Sequence, residues 1–206
     1  MKNKVLDFFI NTIKKYYKYD DTKLLEIRYG LESLYLSILK FIIIFIISFF
    51  INTTKELCLF FLTYGILRAF AFGVHAKKSI HCWIISILSF GLIPYLIKVY
   101  NINFYIIMAT SIICLLLIII YSPADTEKRP LINKKKRLIF KILSIIVTAT
   151  YIILIIIMKD YYKNILFYSI LLETIFILPI TYKLLGVKYN NYKRYKGRRN
   201  KNEIIS

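Results

Sequence analysis

The chain has 206 residues, 58% of them hydrophobic, and still carries a formal charge of +19. A soluble globule does not combine those values, whereas a polytopic membrane protein does, and basic loops between apolar runs explain the charge without a nucleic-acid partner. Three cysteines, Cys58, Cys82 and Cys114, lie in or beside apolar runs and supply no disulfide framework.

Residues 1–33 form a mixed segment. Val5, Leu6, Phe8, Phe9, Ile13, Tyr16 and Tyr17 recur at helical spacing against Lys4, Asp7, Lys14, Lys15 and Lys18, which predicts an amphipathic helix lying in the membrane interface or packed on a helical bundle. With Asp7 among its apolar residues and no small-residue cleavage site, the stretch does not read as a removable signal peptide.

Apolar runs follow at 34–52, 56–72, 80–97, 103–121, 138–158 and 164–182, each close to the ~17–25 residues that cross a bilayer. The expectation is an all-α polytopic membrane protein of about six transmembrane helices, a single membrane-embedded domain that ends in a basic cytosolic tail over 183–206. Loop charges orient it. With the N-terminus inside, inner segments collect Lys77, Lys78, Lys128, Arg129, Lys134, Lys135, Lys136, Arg137 and the tail cations, while outer loops hold Lys55, Lys98, Lys159 and Lys163. The tail also suits anionic lipid headgroups.

Both histidines fall in the polar break between the second and third runs, Arg68-Ala-Phe-Ala-Phe-Gly-Val-His-Ala-Lys-Lys-Ser-Ile-His-Cys82. A cysteine nucleophile needs a base to deprotonate it and an acid for the leaving group, and one imidazole serves both in turn. On one straight helix His75 and Cys82 would stand roughly 10.5 Å apart along the axis, too far for a hydrogen bond. A turn over Gly73 to Ser79, with His75 ending one helix and Cys82 opening the next, brings them together. His81 suits less, because adjacent helical residues point about 100° apart. The plainer reading of both residues is a solvated loop histidine and a small buried cysteine.

Arg68 sits about one turn from the inner end of its run. It either holds a carboxylate or an oxyanion, or snorkels to the headgroups. Glu173 lies near the middle of the last run, must be neutral, paired or hydrated, and is expected to be a structural intramembrane acid whose loss lowers the amount of folded protein more than activity per molecule. At about 13 Å from the inner end it is within reach of Lys40, at about 9 Å in the first run, with Arg68 as the rival partner. Asp125 shares the inner face with His75 and Cys82 and can orient the imidazole, but Ser122-Pro123-Ala124-Asp125 also reads as a helix start, the reading favoured here. No zinc spacing, phosphate loop or repeat is present in the sequence, and no metal or cofactor is expected.

Arg68, Gly73-x-His75-Ala76 and Cys82 together resemble the AgrB family of membrane cysteine endopeptidases, and Ser122-Pro123-Ala124-Asp125-Thr126-Glu127-Lys128-Arg129-Pro130 resembles the block those proteins carry after their fourth span. The resemblance covers essentially the whole chain. It implies cleavage of the C-terminal tail of an AgrD-like propeptide and closure of the remainder into a thiolactone or lactone autoinducing peptide for quorum sensing. It further implies Cys82 as nucleophile, His75 as base, Arg68 and Gly73 in support, a homodimer, and a cell-membrane location with the site facing the cytoplasm. Phe72 stands where many members have a second glycine. The alternative from another class is a small non-catalytic channel or peptide transporter lined by Arg68 and Glu173.

Overall fold

A computed structural model of the chain describes residues 2–17, 19–74, 79–126 and 130–193, apart from the side chains of Lys2, Lys4, Ser33 and Ser79. His75, the lysines beside it, Glu127 to Arg129 and the end of the basic tail, 194–206, lie outside the described residues. Contacts divide the chain into two units, Met1–Ile47 and Ser48–Ser206, with the boundary inside a helix.

The first unit holds α1 (Lys2–Tyr16) and most of α2 (Asp21–Phe50). Leu6 and Ile10 of α1 and Leu24 of α2 are buried, and Arg28 Nη2 reaches Asp7 Oδ1 at 2.9 Å. Phe8, Phe9 and Tyr16 stay exposed. The helix containing the first apolar run thus starts thirteen residues earlier than 34, because its opening turns carry Asp21, Lys23, Glu26, Arg28 and Glu32, which hide it from hydropathy but not from helix formation.

In the second unit, α3 (Thr54–Ala71) is followed by α4 (Ser79–Ile87), a π-helical turn over Leu88–Leu92, and α5 (Ile93–Val99), which continue one another. Then come α6 (Phe104–Tyr121), α7 (Lys134–Ile157), α8 (Asp160–Ile177) and the short α9 (Pro179–Leu184). Asn103 and Asn133 cap α6 and α7 with their side-chain oxygens, which satisfies N–H groups that have no partner inside the helix.

Helix α8 is the centre of this unit and packs against α3, α5, α6 and α7. Its apolar residues go all the way round, as a helix enclosed by others requires, and Ile165, Leu166, Phe167, Ile170, Leu172 and Ile177 are buried. Around it α6 turns inward Ile107, Ser111, Cys114 and Ile118, and α7 turns inward Ser144, Thr148, Tyr151 and Ile155, each set on one helical stripe. Ser111, Ser144 and Thr148 therefore face in beside Ile107, Ile118 and Ile155, while Ile112, Ile113, Leu116, Ile120, Ile139, Ile142, Ile146 and Ile153 face out. Water would reverse that distribution; hydrocarbon favours it, because close packing and interhelical hydrogen bonds hold helices together there. Thr63 Oγ1 and Ser169 Oγ lie 2.7 Å apart between α3 and α8, Tyr151 Oη of α7 donates to Thr63 O at 2.8 Å, and Ser122 Oγ lies 2.7 Å from Ser144 Oγ.

The chain is all-helical apart from connections, and no strand occurs among the described residues. Helices occupy all six predicted runs. Four segments are long and apolar enough to cross a membrane by length and composition: Asp21–Phe50, Ile80–Val99, Phe104–Tyr121 and Lys134–Ile157. Helices α3 and α8 have 18 residues each and carry three charged residues apiece, Lys55, Glu56 and Arg68 in one and Asp160, Lys163 and Glu173 in the other.

Candidate active site

Three chain segments meet where α3 ends. Ala71 closes the helix, and Phe72 takes a positive φ of 63° with ψ −126°, a conformation that glycine adopts at far lower cost. This is the position at which Phe replaces a glycine common in the family it resembles. Its ring packs edge-on against Phe140 of α7, centroids 5.0 Å apart, which offsets part of the backbone cost. Gly73 follows with φ 113°, again in the glycine region.

The turn is then stitched to its neighbours through the backbone. Gly73 N–H donates to Ala124 O at 2.8 Å, Ala124 N–H to Ala71 O at 3.0 Å, and Val74 N–H to Phe176 O at 3.0 Å. The last of these follows from Pro179, which ends α8 and leaves its final carbonyls without their usual donors. Ile175 O accepts instead from the Thr181 hydroxyl, and Phe176 O is open to Val74.

Arg68 ties the same turn to α8. Its Nη2 donates to Val74 O at 2.7 Å, its Nη1 lies 3.3 Å from Glu173 Oε2, and the guanidinium carbon stands 5.3 Å from the centre of the Phe176 ring. Glu173 is completely buried. Of the two partners that depth allows Glu173, Lys40 and Arg68, it is Arg68 that holds its carboxylate, and the pair answers the cost of charges in an apolar bundle. Arg68 is therefore engaged at both ends by the protein itself, so an oxyanion or a substrate carboxylate would have to compete for it.

The expected helix start at Ser122 is not formed. Ser122 instead closes α6 in extended conformation, and residues 122–126 run alongside the 71–74 turn, because Ala124 gives its N–H and C=O to Ala71 and Gly73 instead of to a helix of its own. Helix α7 begins eleven residues later, after Asn133. Asp125 is buried and caps a different element: its Oδ1 accepts from Asn191 N–H at 3.0 Å and its Oδ2 from Tyr192 N–H at 2.7 Å, where 191–193 make a helical turn. Burial pushes the Asp125 carboxyl up, and the backbone N–H groups of Tyr192, Asn191 and Leu131 pull it partly back. Tyr182 Oη reaches both Ala124 O and Asp125 O at 3.1 Å, and Arg137 lies over the Tyr192 ring with its guanidinium carbon 3.4 Å from the centroid.

Cys82 is the fourth residue of α4, half-buried and outside any disulfide, while His81 beside it is exposed. The structure thus brings Arg68, Gly73, Glu173 and the 122–126 segment into one junction and opens α4 a few residues later with Cys82. His75 is the residue after Val74 and lies outside the described residues. Sequence reasoning did not single out Val74, Phe176 or Tyr182; the one available signal was Pro179, which ends a helix and frees carbonyls just before it.

The Accessory gene regulator B family model matches residues 6–177. A putative AgrB-like protein of Clostridium acetobutylicum is 36% identical over 185 residues, 89% of this chain and 88% of that one. A putative AgrB-like protein of Listeria monocytogenes is 32% identical over 184 residues, 89% of this chain and 90% of that one. Accessory gene regulator protein B of Staphylococcus aureus is 36% identical over 176 residues, 85% of this chain and 93% of that one. No solved structure matches. A family match over most of the chain, joined to long apolar helices that point to a membrane protein, leads to one conclusion: this chain belongs to the accessory gene regulator B family, a setting consistent with a role in quorum sensing.

Proposed function

We propose that the protein is a membrane cysteine endopeptidase that removes the C-terminal tail of an AgrD-like propeptide and closes the remainder into a thiolactone or lactone. The observation that carries this reading is the junction at the end of α3: Arg68 and Gly73 are built into a rigid lead-in to His75, and Cys82 follows in the opening turns of α4. His75 takes the thiol proton, and the Cys82 thiolate attacks the scissile carbonyl. The C–N bond breaks, Cys82 keeps the acyl group as a thioester, and the departing amine leaves with the proton held by His75. A thiol or hydroxyl of the substrate then displaces Cys82 and closes the ring. For a thiol this exchanges one thioester for another, nearly balanced in energy, the thiol's proton passing by way of His75 to the released Cys82, and water must be kept out because it would hydrolyse the acyl-enzyme instead.

In this reading α3 and α8 cross the membrane as well, because Arg68 and Glu173 neutralise one another and the other charges stand near the helix ends. Helix α1 lies in the interface with Phe8, Phe9 and Tyr16 toward lipid, and the site faces the cytoplasm. No observation favours a channel or transporter, since Glu173 is enclosed and Arg68 is held on both sides. Co-expression with the propeptide tests the reading: mass spectrometry should show the tail released by the wild type, by Cys58→Ser and by Cys114→Ser, but not by Cys82→Ala. Tail release by Cys82→Ala overturns it.

A further inference from the structure

Val74 is held at both of its peptide units. Its N–H donates to Phe176 O at 3.0 Å, and its C=O accepts from Arg68 Nη2 at 2.7 Å. That carbonyl belongs to the peptide bond joining Val74 to His75. A peptide unit is planar, so a contact to its oxygen restrains the orientation of the unit that leads out of Val74.

Both constraints originate on α8. Phe176 supplies one directly through its own carbonyl. The other passes through Glu173, whose Oε2 lies 3.3 Å from Arg68 Nη1 while the second guanidinium nitrogen addresses Val74. The planar fork of an arginine is what allows this, because two of its nitrogens point in fixed directions at two acceptors. Arg68 keeps only 18% of its side chain exposed. Without a carboxylate beside it, a guanidinium one turn from the helix end would swing toward the headgroups and release Val74 O.

Resting on the reading of His75 as base and Cys82 as nucleophile, we infer that Glu173 is a positioning residue for His75. It anchors Arg68 so that the guanidinium holds Val74 O, the carbonyl immediately before the base, and ties that carbonyl to α8. Burial alone would give Glu173 a role in folding only. The two-ended use of Arg68 gives it a role in catalysis that persists in every molecule that folds.

The test uses the full chain in membrane vesicles and separates the amount of protein from the behaviour of each molecule. Cys82 alkylation by iodoacetamide is followed by mass spectrometry at neutral pH, where it depends on the base, and at about pH 10, where an ordinary thiol ionises unaided. His75→Ala defines the complete loss. Glu173→Gln should slow neutral-pH alkylation at least about tenfold toward the His75→Ala rate and leave the alkaline rate unchanged. On propeptide, kcat should fall by a similar factor while KM stays within about threefold, and Glu173→Asp should recover part of the loss.

Arg68→Lys answers for the case in which Glu173→Gln does not yield folded protein. Lysine retains a cation for Glu173 but has one nitrogen on a freely rotating stem in place of the planar fork that holds Oε2 and Val74 O in fixed directions, so it should show the same slowing. Ser169→Ala, which removes the Thr63 hydrogen bond between the same two helices, should change the amount of protein and not its alkylation rate. The inference is overturned if folded Glu173→Gln or Arg68→Lys alkylates at the wild-type rate while His75→Ala does not. If His75→Ala itself alkylates at the wild-type rate, the assignment of base and nucleophile fails, and this inference fails with it.

Discussion

Gly73 and Arg68 press against one another: a Cβ built on Gly73 would overlap Arg68 Nη1 and come within 3.0 Å of Phe176 O, a backbone atom that cannot step aside. Gly73→Ala therefore meets two obstacles, a φ of 113° that L residues avoid and the displacement of Arg68 from Val74. The backbone term alone costs about 1–3 kcal/mol. Gly73→Ala is expected to reduce propeptide cleavage at least about tenfold per folded molecule. Gly65→Ala within α3, where an added Cβ meets nothing within 4 Å, should leave both abundance and cleavage near wild type. Equal tolerance of the two substitutions, measured by immunoblot and cleavage assay, would contradict the lock described here.

Asp125 is spent on the backbone of 191 and 192, which leaves neither carboxylate oxygen idle for an imidazole. Asp125→Asn keeps the shape and one of these hydrogen bonds but sets an NH2 group against the other backbone N–H, a local cost of about 1–3 kcal/mol that falls on the 187–193 segment and not on an imidazole. Asp125→Asn should keep cleavage within about threefold of wild type, whereas Asp125→Ala should loosen the 187–193 segment and speed tryptic cutting at Lys193. A loss of three or more orders of magnitude in Asp125→Asn, with unchanged proteolysis, would make Asp125 the orienting acid of a triad.

The helices were legible because long apolar runs and basic loops are local signals, and α6 and α7 fall within a few residues of where hydropathy puts them. What was not legible depended on where backbone groups find partners. Ser122 and Pro123 have the residue types of a helix start, yet the donors and acceptors beside them are claimed by Ala71 and Gly73 from a segment fifty residues away. Glu173 and Arg68, 105 positions apart, could be matched in depth but not paired, because depth leaves rotation about the helix axis undetermined. Pro179 did announce the end of α8, and reading the last run through it to 182 ignored the missing N–H.

Topology provides a third test. On the proposed orientation, in which loops rich in lysine and arginine lie inside, the end of α3 and the start of α4 face the cytoplasm. A membrane-impermeant thiol reagent added to intact cells should leave Cys82 unlabelled, and the same reagent should label it in inverted vesicles. Labelling from the outside only would reverse the orientation and remove the cytoplasmic site.

The last prediction separates cleavage from ring closure and decides between the histidines. If Cys82 carries a thioester that the substrate's own side chain must capture, a propeptide with its ring-closing residue changed to Ala will still be attacked but cannot cyclise. An acyl adduct should then accumulate on Cys82, sensitive to hydroxylamine, or drain slowly to a linear acid. His75→Ala should abolish the adduct, because without the base little thiolate forms and the amine leaves poorly. His81→Ala should spare it, since that side chain is exposed and is the helical neighbour of Cys82, pointing about 100° away. Loss of the adduct in His81→Ala with retention in His75→Ala would exchange the two roles and detach the base from the Arg68–Val74 lock. If tail and cyclic product appear in one step with no adduct while both histidines are intact, the covalent route through Cys82 is wrong. The junction at Val74 would then have to be explained by folding alone.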